Sequence, residues 1–235
     1  MIARLAVGFV AIATASARAD ETALYSTVGW GNTVQPERVA LSTQAGYDGA
    51  LKRAQATALV EVTLYEGLST FAAVTYGQET AGTTRPALGL AYQITDPHTA
   101  PVALRISGAY KPEGFSEPEG ELETVLVAAH LFDRNVARVF VAYGRDPEGR
   151  ESDVEVGAGY LQRVGDNLVV GASTRYRYAL ALKDPTGPRW DAIGGAVGDV
   201  ELAHWRIELL LGAGAVGTAK TAIGPMGLLS VGFDL

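Results

Sequence analysis

The stretch PALGLAYQITDPHTAPVALRISGAYK, residues 86–111, decides the fold. Leu88, Leu90, Tyr92 and Ile94 share one parity, and Gly89, Ala91, Gln93 and Thr95 share the other. After Asp96-Pro97 the pattern resumes, with Val102, Leu104, Ile106 and Tyr110 alternating with Ala103, Arg105, Ser107 and Lys111. Successive side chains of a strand point to opposite faces. A period of two on both sides of an Asp-Pro turn therefore predicts an antiparallel hairpin with one apolar face and one small or polar face.

The rest of the chain repeats this unit. From Arg38 onward the alternation predicts twelve strands, at residues 38–47, 56–66, 68–77, 86–95, 101–111, 121–132, 136–145, 152–162, 167–178, 189–201, 204–216 and 226–235. Short turns at Glu66-Gly67, Asp96-Pro97, Asp133-Arg134-Asn135, Gly165-Asp166-Asn167 and Leu202-Ala203 alternate with longer links rich in Gly, Pro and charge. Those links are YDGALKRAQ, GQETAGTTR, KPEGFSEPEGE, RDPEGRES, ALKDPTGPR and GTAKTAIGP. Short turns on one side and long loops on the other are the pattern of an outer-membrane barrel, and an even strand number returns the C-terminus to the periplasmic side. The fold class expected is all-β, a transmembrane antiparallel up-and-down β-barrel of about twelve strands.

Composition agrees. Hydrophobic residues make up 48% of the 235, yet after residue 19 no apolar run is long enough for a membrane helix. The 28 glycines and only 19% charged residues suit strands that face lipid on one side and water on the other. There is no cysteine, which excludes disulfides, thiolate metal ligation, a lipid-anchoring cysteine and covalent haem. The formal net charge is −7 and becomes more negative if residues 1–19 are removed with Arg4 and Arg18, which argues against nucleic acid as a partner.

The first 19 residues have the layout of a secretory signal peptide: Arg4, an apolar run from Leu5 to Ala13, then Ala15, Ser16, Ala17, Arg18 and Ala19. Cleavage is expected after Ala19, with Ala17 as a second candidate. An N-terminal membrane anchor is disfavoured because the run is too short to cross ~30 Å of hydrocarbon. Residues 20–37 read as a periplasmic leader or a segment tucked into the barrel mouth, with an extra strand at 24–34 as the rival. Residues 38–235 form the barrel.

Aromatic positions point the same way. Tyr47, Tyr76, Tyr110, Tyr143, Tyr178 and Trp190 fall at the loop ends of strands, and Tyr92, Phe132, Tyr160, Trp205 and Phe233 toward the turn ends. Two such girdles are expected at the two interfaces of a membrane. Parity sends Val39, Leu41, Val60, Val62, Leu64, Val139, Val141, Leu168, Val170, Ile207, Leu209, Leu211, Leu229, Val231 and Leu235 outward. It sends Arg38, Glu61, Arg105, Glu123, Arg138, Glu155, Arg175, Arg177, Asp191, Asp199, Arg206 and Glu208 into the lumen. A charge on the lipid face at mid-membrane costs ~2–4 kcal/mol, so the shared parity of these charges is informative. Strand six is ambiguous, since Val125 and Val127 compete with Leu126 and Ala128. Strand ten is weakened by GGAVG. The last strand, LLSVGFDL, resembles the C-terminal signal read by the barrel-assembly machinery, although Asp234 and Leu235 follow Phe233.

Function is expected to lie with the inward charges. Arg105, Arg138, Arg175, Arg177 and Arg206 against Glu61, Glu123, Glu155 and Glu208, with Asp191, form candidate ladders across an ion-selective constriction. The competing reading is that they pair and fill the interior, because twelve strands fall between barrels packed solid and barrels that enclose a channel. No catalytic site is expected. His98, His130 and His204 map to the turn end with no suitably placed serine, and none has a ligand-spaced partner for a metal. The loop KPEGFSEPEGE carries acids for a cation, but its prolines suit a solvated loop better. GAGAVG at 212–217 lies inside a strand and is not a dinucleotide signature. No cofactor is expected. The expected partners are outer-membrane lipid, the barrel-assembly machinery and a small-molecule solute.

In the hairpin 86–111, and in GLSTFAAVTYG, DRNVARVFVAYGRD and GAGYLQRVGDNLVVGASTRYRY, the chain resembles the outer-membrane barrels of the MetA-pathway of phenol degradation family. The likeness runs from about residue 38 to the end. The family's Leu-Gly-Leu-x-Tyr hairpin with a short Asp turn is matched by Leu88, Gly89, Leu90, Tyr92 and Asp96. The resemblance implies a twelve-strand barrel that admits small or hydrophobic compounds, and it carries over no binding residue. The function expected is a passive channel or uptake barrel for small solutes in the bacterial outer membrane. The alternative is a non-conducting structural or surface-interaction barrel acting with a periplasmic partner.

Overall fold

The computed structural model describes residues 35–36, 38–77, 83–95, 100–114, 117–182, 188–202, 204–217 and 221–234. The signal peptide, the rival strand at 24–34, nearly all of the leader, the Asp96-Pro97 turn with His98, and Leu235 lie outside these residues.

Twelve antiparallel strands follow one another: β1 (Val39–Asp48), β2 (Arg53–Tyr65), β3 (Leu68–Gly77), β4 (Thr83–Thr95), β5 (Val102–Gly114), β6 (Glu117–Phe132), β7 (Asn135–Arg145), β8 (Ser152–Arg163), β9 (Leu168–Ala181), β10 (Trp190–Leu202), β11 (Trp205–Gly217) and β12 (Thr221–Asp234). Each pairs with its sequence neighbours, and β1 pairs with β12 from Ala40↔Asp234 to Asp48↔Met226, closing the barrel. Closure leaves the sheet with no free edge, as a wall in hydrocarbon requires.

The ring is staggered. Followed from Ala40 through Glu61, Phe71, Gly89, Ala109, Glu123 and Gly144, the register reaches Asp153 of β8. Followed the other way from Asp48 through Met226, Gly212, Gly195 and Ser173, it reaches Gly159 of the same strand. Asp48 lies eight positions beyond Ala40 and β8 runs antiparallel to β1, so an unstaggered ring would bring the second path eight positions before Asp153, at Arg145; it arrives at Gly159 instead, and the strands therefore tilt across the barrel wall.

Strands run further toward the long loops than hydropathy predicts. β2 begins at Arg53, β4 at Thr83, β6 at Glu117 and β12 at Thr221. Polar strand ends beyond the apolar band keep their ladder bonds because each still has a neighbour, and side-chain pattern does not report that pairing. Prolines mark where it fails. The β4–β5 ladder stops at Leu88↔Tyr110, and the next inter-strand positions outward carry Pro86 and Pro112, neither of which donates a backbone hydrogen bond. At the short turns, Gly67 (φ 82°) and Asp133 (φ 58°) supply left-handed backbone.

Parity resolves as expected, and the ambiguous strand settles. Leu122 and Leu126 of β6 are exposed on the outer face, while Val125 and Val127 turn inward. Leu88, Leu90, Val139, Leu209 and Leu211 stand on the same outer band. Tyr47, Tyr76, Tyr143 and Tyr178 ring its loop end and Tyr92, Phe132 and Tyr160 its turn end. At the turn end His130 stacks on Phe132 and Trp205 leans on Phe233 at 4.7 Å between ring centroids.

Two arrangements of glycine shape the interior. The Phe140 ring lies over Gly157, where an added Cβ would stand 2.0 Å from Cε1. Gly195 and Gly212 face each other across β10 and β11, and a Cβ on either would meet the other strand's backbone at 2.3 or 2.0 Å. The two backbones therefore approach each other at this pair in a way that only glycine permits.

Candidate functional site: the charged barrel interior

The expected lumen charges that lie on strands face inward, but the structure sorts them into two separate groups rather than across one constriction. Arg38, also assigned to the lumen by parity, lies just before β1 and is exposed.

The first group fills the periplasmic half, toward the short turns. Arg105 of β5 pairs with Glu61 of β2 and donates to Ser69 Oγ of β3 at 2.9 Å, while Ser69 Oγ donates to Glu61 Oε1 at 2.5 Å. Arg206 binds Asp199 Oδ2 through Nε at 2.7 Å and Glu208 Oε2 through Nη2 at 2.6 Å. Arg163 reaches Glu201 at 2.8 Å. Arg138 of β7, only 2% exposed, stands in the field of Glu208, Arg206 and Asp199 from β10 and β11. Ala103, Val136, Leu161 and Val169 pack among these pairs at 0% exposure. Charges removed from water this thoroughly persist because each carboxylate here has a guanidinium beside it.

At the same rim the chain enters the barrel through a clamp. Gln35 donates its backbone N–H to Gln93 Oε1 at 3.0 Å and its side-chain amide to Tyr65 O and Leu68 O, both at 2.9 Å. Its Oε1 accepts the Gly67 N–H at 2.8 Å. Gln93 belongs to the inward face of β4, so the chain at Gln35 sits at the inner edge of the rim.

The second group lines the half nearer the long loops, a vestibule that water reaches. Arg175 pairs with Asp191 and lies 3.5 Å from Glu155; Arg177 Nε lies 3.2 Å from Asp153 and 3.5 Å from Asp191. Lys111 pairs with Glu123. Arg177 is 40% exposed and Lys111 37%, against 5% for both side chains of the Arg105–Glu61 pair. Arg53 stands in the field of Arg177, Asp191, Asp48 and Arg85, and Glu121 in that of Lys111, Asp153, Glu123 and Arg177.

The nine expected lumen residues thus divide into Glu61, Arg105, Arg138, Arg206 and Glu208 in the packed half and Glu123, Glu155, Arg175 and Arg177 in the vestibule. The sequence reading passed over Ser69, Arg163, Glu201, Glu121 and Asp153. The last four share the inward parity of their strands and were legible by that rule; Ser69 carries no charge and gave no signal. His130 and His204 lie at the turn-end rim on opposite sides of the ring, and among the described residues no cluster of metal-ligating side chains forms.

The backbone is similar to that of the NanC porin, with a TM-score of 0.60 and 9% identity over 83% of this chain and 100% of that one. The KdgM porin gives 0.58 and 8% over 83% and 99%. The translocator domain of the autotransporter NalP from Neisseria meningitidis gives 0.55 and 14% over 88% and 91%. The fold is that of an outer-membrane barrel. At these identities the likeness is one of fold, and two porins and a translocator share it, so the function has to be argued from the interior. No protein-family model matches the chain and no curated protein is similar to it, so the resemblance to the MetA-pathway family has no such match behind it.

Proposed function

We propose that this is an outer-membrane channel for small solutes, which are selected in the vestibule before they reach the narrower periplasmic half. The observation that supports it is a water-reached vestibule lined by ionised groups of both signs inside a wall whose outer face is an apolar band. A solute arriving from the loop side meets these groups first, and rings of charged side chains are the usual means of sorting permeants. Arg175, Arg177, Glu123 and Glu155 set selectivity. Arg105, Arg138, Arg206, Glu61 and Glu208 hold the inner half in a fixed shape. NanC and KdgM, which share the fold, are porins. The MetA-pathway resemblance adds that the permeant is small or hydrophobic.

Cleavage of residues 1–19, assembly through the machinery that reads the last strand, and a surrounding annulus of outer-membrane lipid belong to the same reading. One observation favours the alternative, a non-conducting barrel working with a periplasmic partner: the fully buried packing around Val136, Leu161 and Val169. Planar-bilayer recording decides between them. Stable conductance steps, shifted toward cations when Arg175→Glu and Arg177→Glu are combined, support the channel; a folded protein that inserts without steps supports the sealed barrel.

A further inference from the structure

The periplasmic half of the lumen has an apolar inner wall that is covered. Ala103, Ala129, Val136, Leu161, Val169, Val197 and Leu210 share the inward parity of seven successive strands, β5 to β11, and each is between 0% and 3% exposed. Neighbours on a curved wall shield one another's flanks but not the side turned toward the axis, and twelve strands make a cylinder too wide for its own short side chains to meet across it. The ion pairs of this half run along the wall: Arg206 with Asp199, Arg163 with Glu201 and Arg105 with Glu61 join strands at most three places apart. The end of the chain that precedes the barrel lies at the same rim. Gln35 is fastened there, with its backbone N–H on the inward side chain of Gln93.

We infer that residues 20–34 run from Gln35 back into the periplasmic half of the lumen and lie against this apolar wall as a built-in plug. Length allows it: fifteen residues reach up to about 50 Å when extended, more than enough to cross the ring. Charge allows it as well. From Thr22 to Val34 the segment carries no ionisable acid or base besides Tyr25, so it adds no ion to a half in which the carboxylates already have guanidinium partners. Leu24, Tyr25, Val28, Trp30 and Val34 supply apolar surface to set against Val136, Leu161 and Leu210. The inference goes beyond the channel reading, because a sealed barrel would hold the same segment. In a channel, the packing around Val136 and Leu161 becomes a removable constriction and no longer favours a closed wall.

The chain has no cysteine, so introduced thiols report without background. Val28→Cys is combined in turn with the inward Val136→Cys, Leu161→Cys and Leu210→Cys, and with the outward Val139→Cys as reference, in full-length protein whose folding is checked by heat-modifiable migration. Oxidation is expected to join Val28→Cys to at least one inward position and not to the outward one. Disulfides at none of the inward positions, or equally at the outward one, overturn the inference. So does protection of Leu161→Cys alone from a water-soluble maleimide with no cross-link to Val28→Cys, which would give the wall a different occupant. In planar bilayers, deletion of residues 22–34 is expected to raise the single-channel conductance several-fold, and an unchanged conductance overturns the plug while leaving the channel intact. Absence of steps from both proteins overturns the channel reading alone, and the cross-links then decide the plug.

Discussion

The two halves of the interior use the same residue types to different ends. In the periplasmic half Arg105, Glu61, Arg206, Asp199 and Glu208 are sealed among fully buried apolar side chains. In the vestibule Lys111, Glu123, Arg177 and Asp153 form pairs of similar geometry in contact with water. An ion pair in water contributes little because the separated ions are nearly as well solvated. One in a dry interior makes each partner depend on the other, since removing either leaves a charge with neither water nor counter-ion. The inner pairs therefore fix shape, and the outer ones remain available to exchange partners with a passing solute.

The sharpest way to break this contrast is to remove one inner partner. Arg105→Ala is expected to cost about 3–5 kcal/mol because Glu61 stays buried and charged. Urea unfolding in detergent micelles measures it. Replacing both, Arg105→Leu with Glu61→Leu, is expected to recover most of that loss, and a double variant as unstable as the single one would contradict the dry-interior account. On the far side of the wall, Leu209→Arg places a charge in lipid and is expected to cost about 2–4 kcal/mol in vesicles. A negligible effect there would move the lipid boundary. Filling the space beneath the Phe140 ring by Gly157→Ala is expected to cost about 1–3 kcal/mol, measured the same way, since the ring has to leave its position. The smallest effect is expected at the vestibule, where Lys111→Ala changes stability by about 0–1 kcal/mol and the difference fades in high salt. A loss at Lys111 as large as that at Arg105 would erase the distinction between the halves.

Much of this was legible in the letters, for a physical reason. A wall with lipid on one side and charge on the other imposes a strict period of two, so the hairpin at 86–111, the strand count and the direction of every charge in the candidate site follow from parity. What parity lacks is height and curvature. Arg105 and Arg177 look alike in sequence, yet one lies in the packed half and the other in the vestibule, because depth follows from strand tilt and from neighbours distant in the chain. Glu121 stands at the junction of the acidic link and the sixth strand, 121–132, and the sequence gives no sign that it reaches the vestibule. It joins the vestibule because pairing of Lys111 with Glu121 carries both strands past the apolar band. The close approach at Gly195 and Gly212 is equally hidden, since GGAVG gives no amphipathic signal and the need for glycine arises only where two backbones meet.

The clamp at Gln35 bears on how the cylinder is made. It ties the entering chain to the hairpin of β2 and β3 and to the rim of β4, and among the described residues it makes no bond to β12. The first-made portion of the molecule can therefore fasten its own starting point while the closing seam is still open, and β12 needs only to dock against an edge already anchored elsewhere.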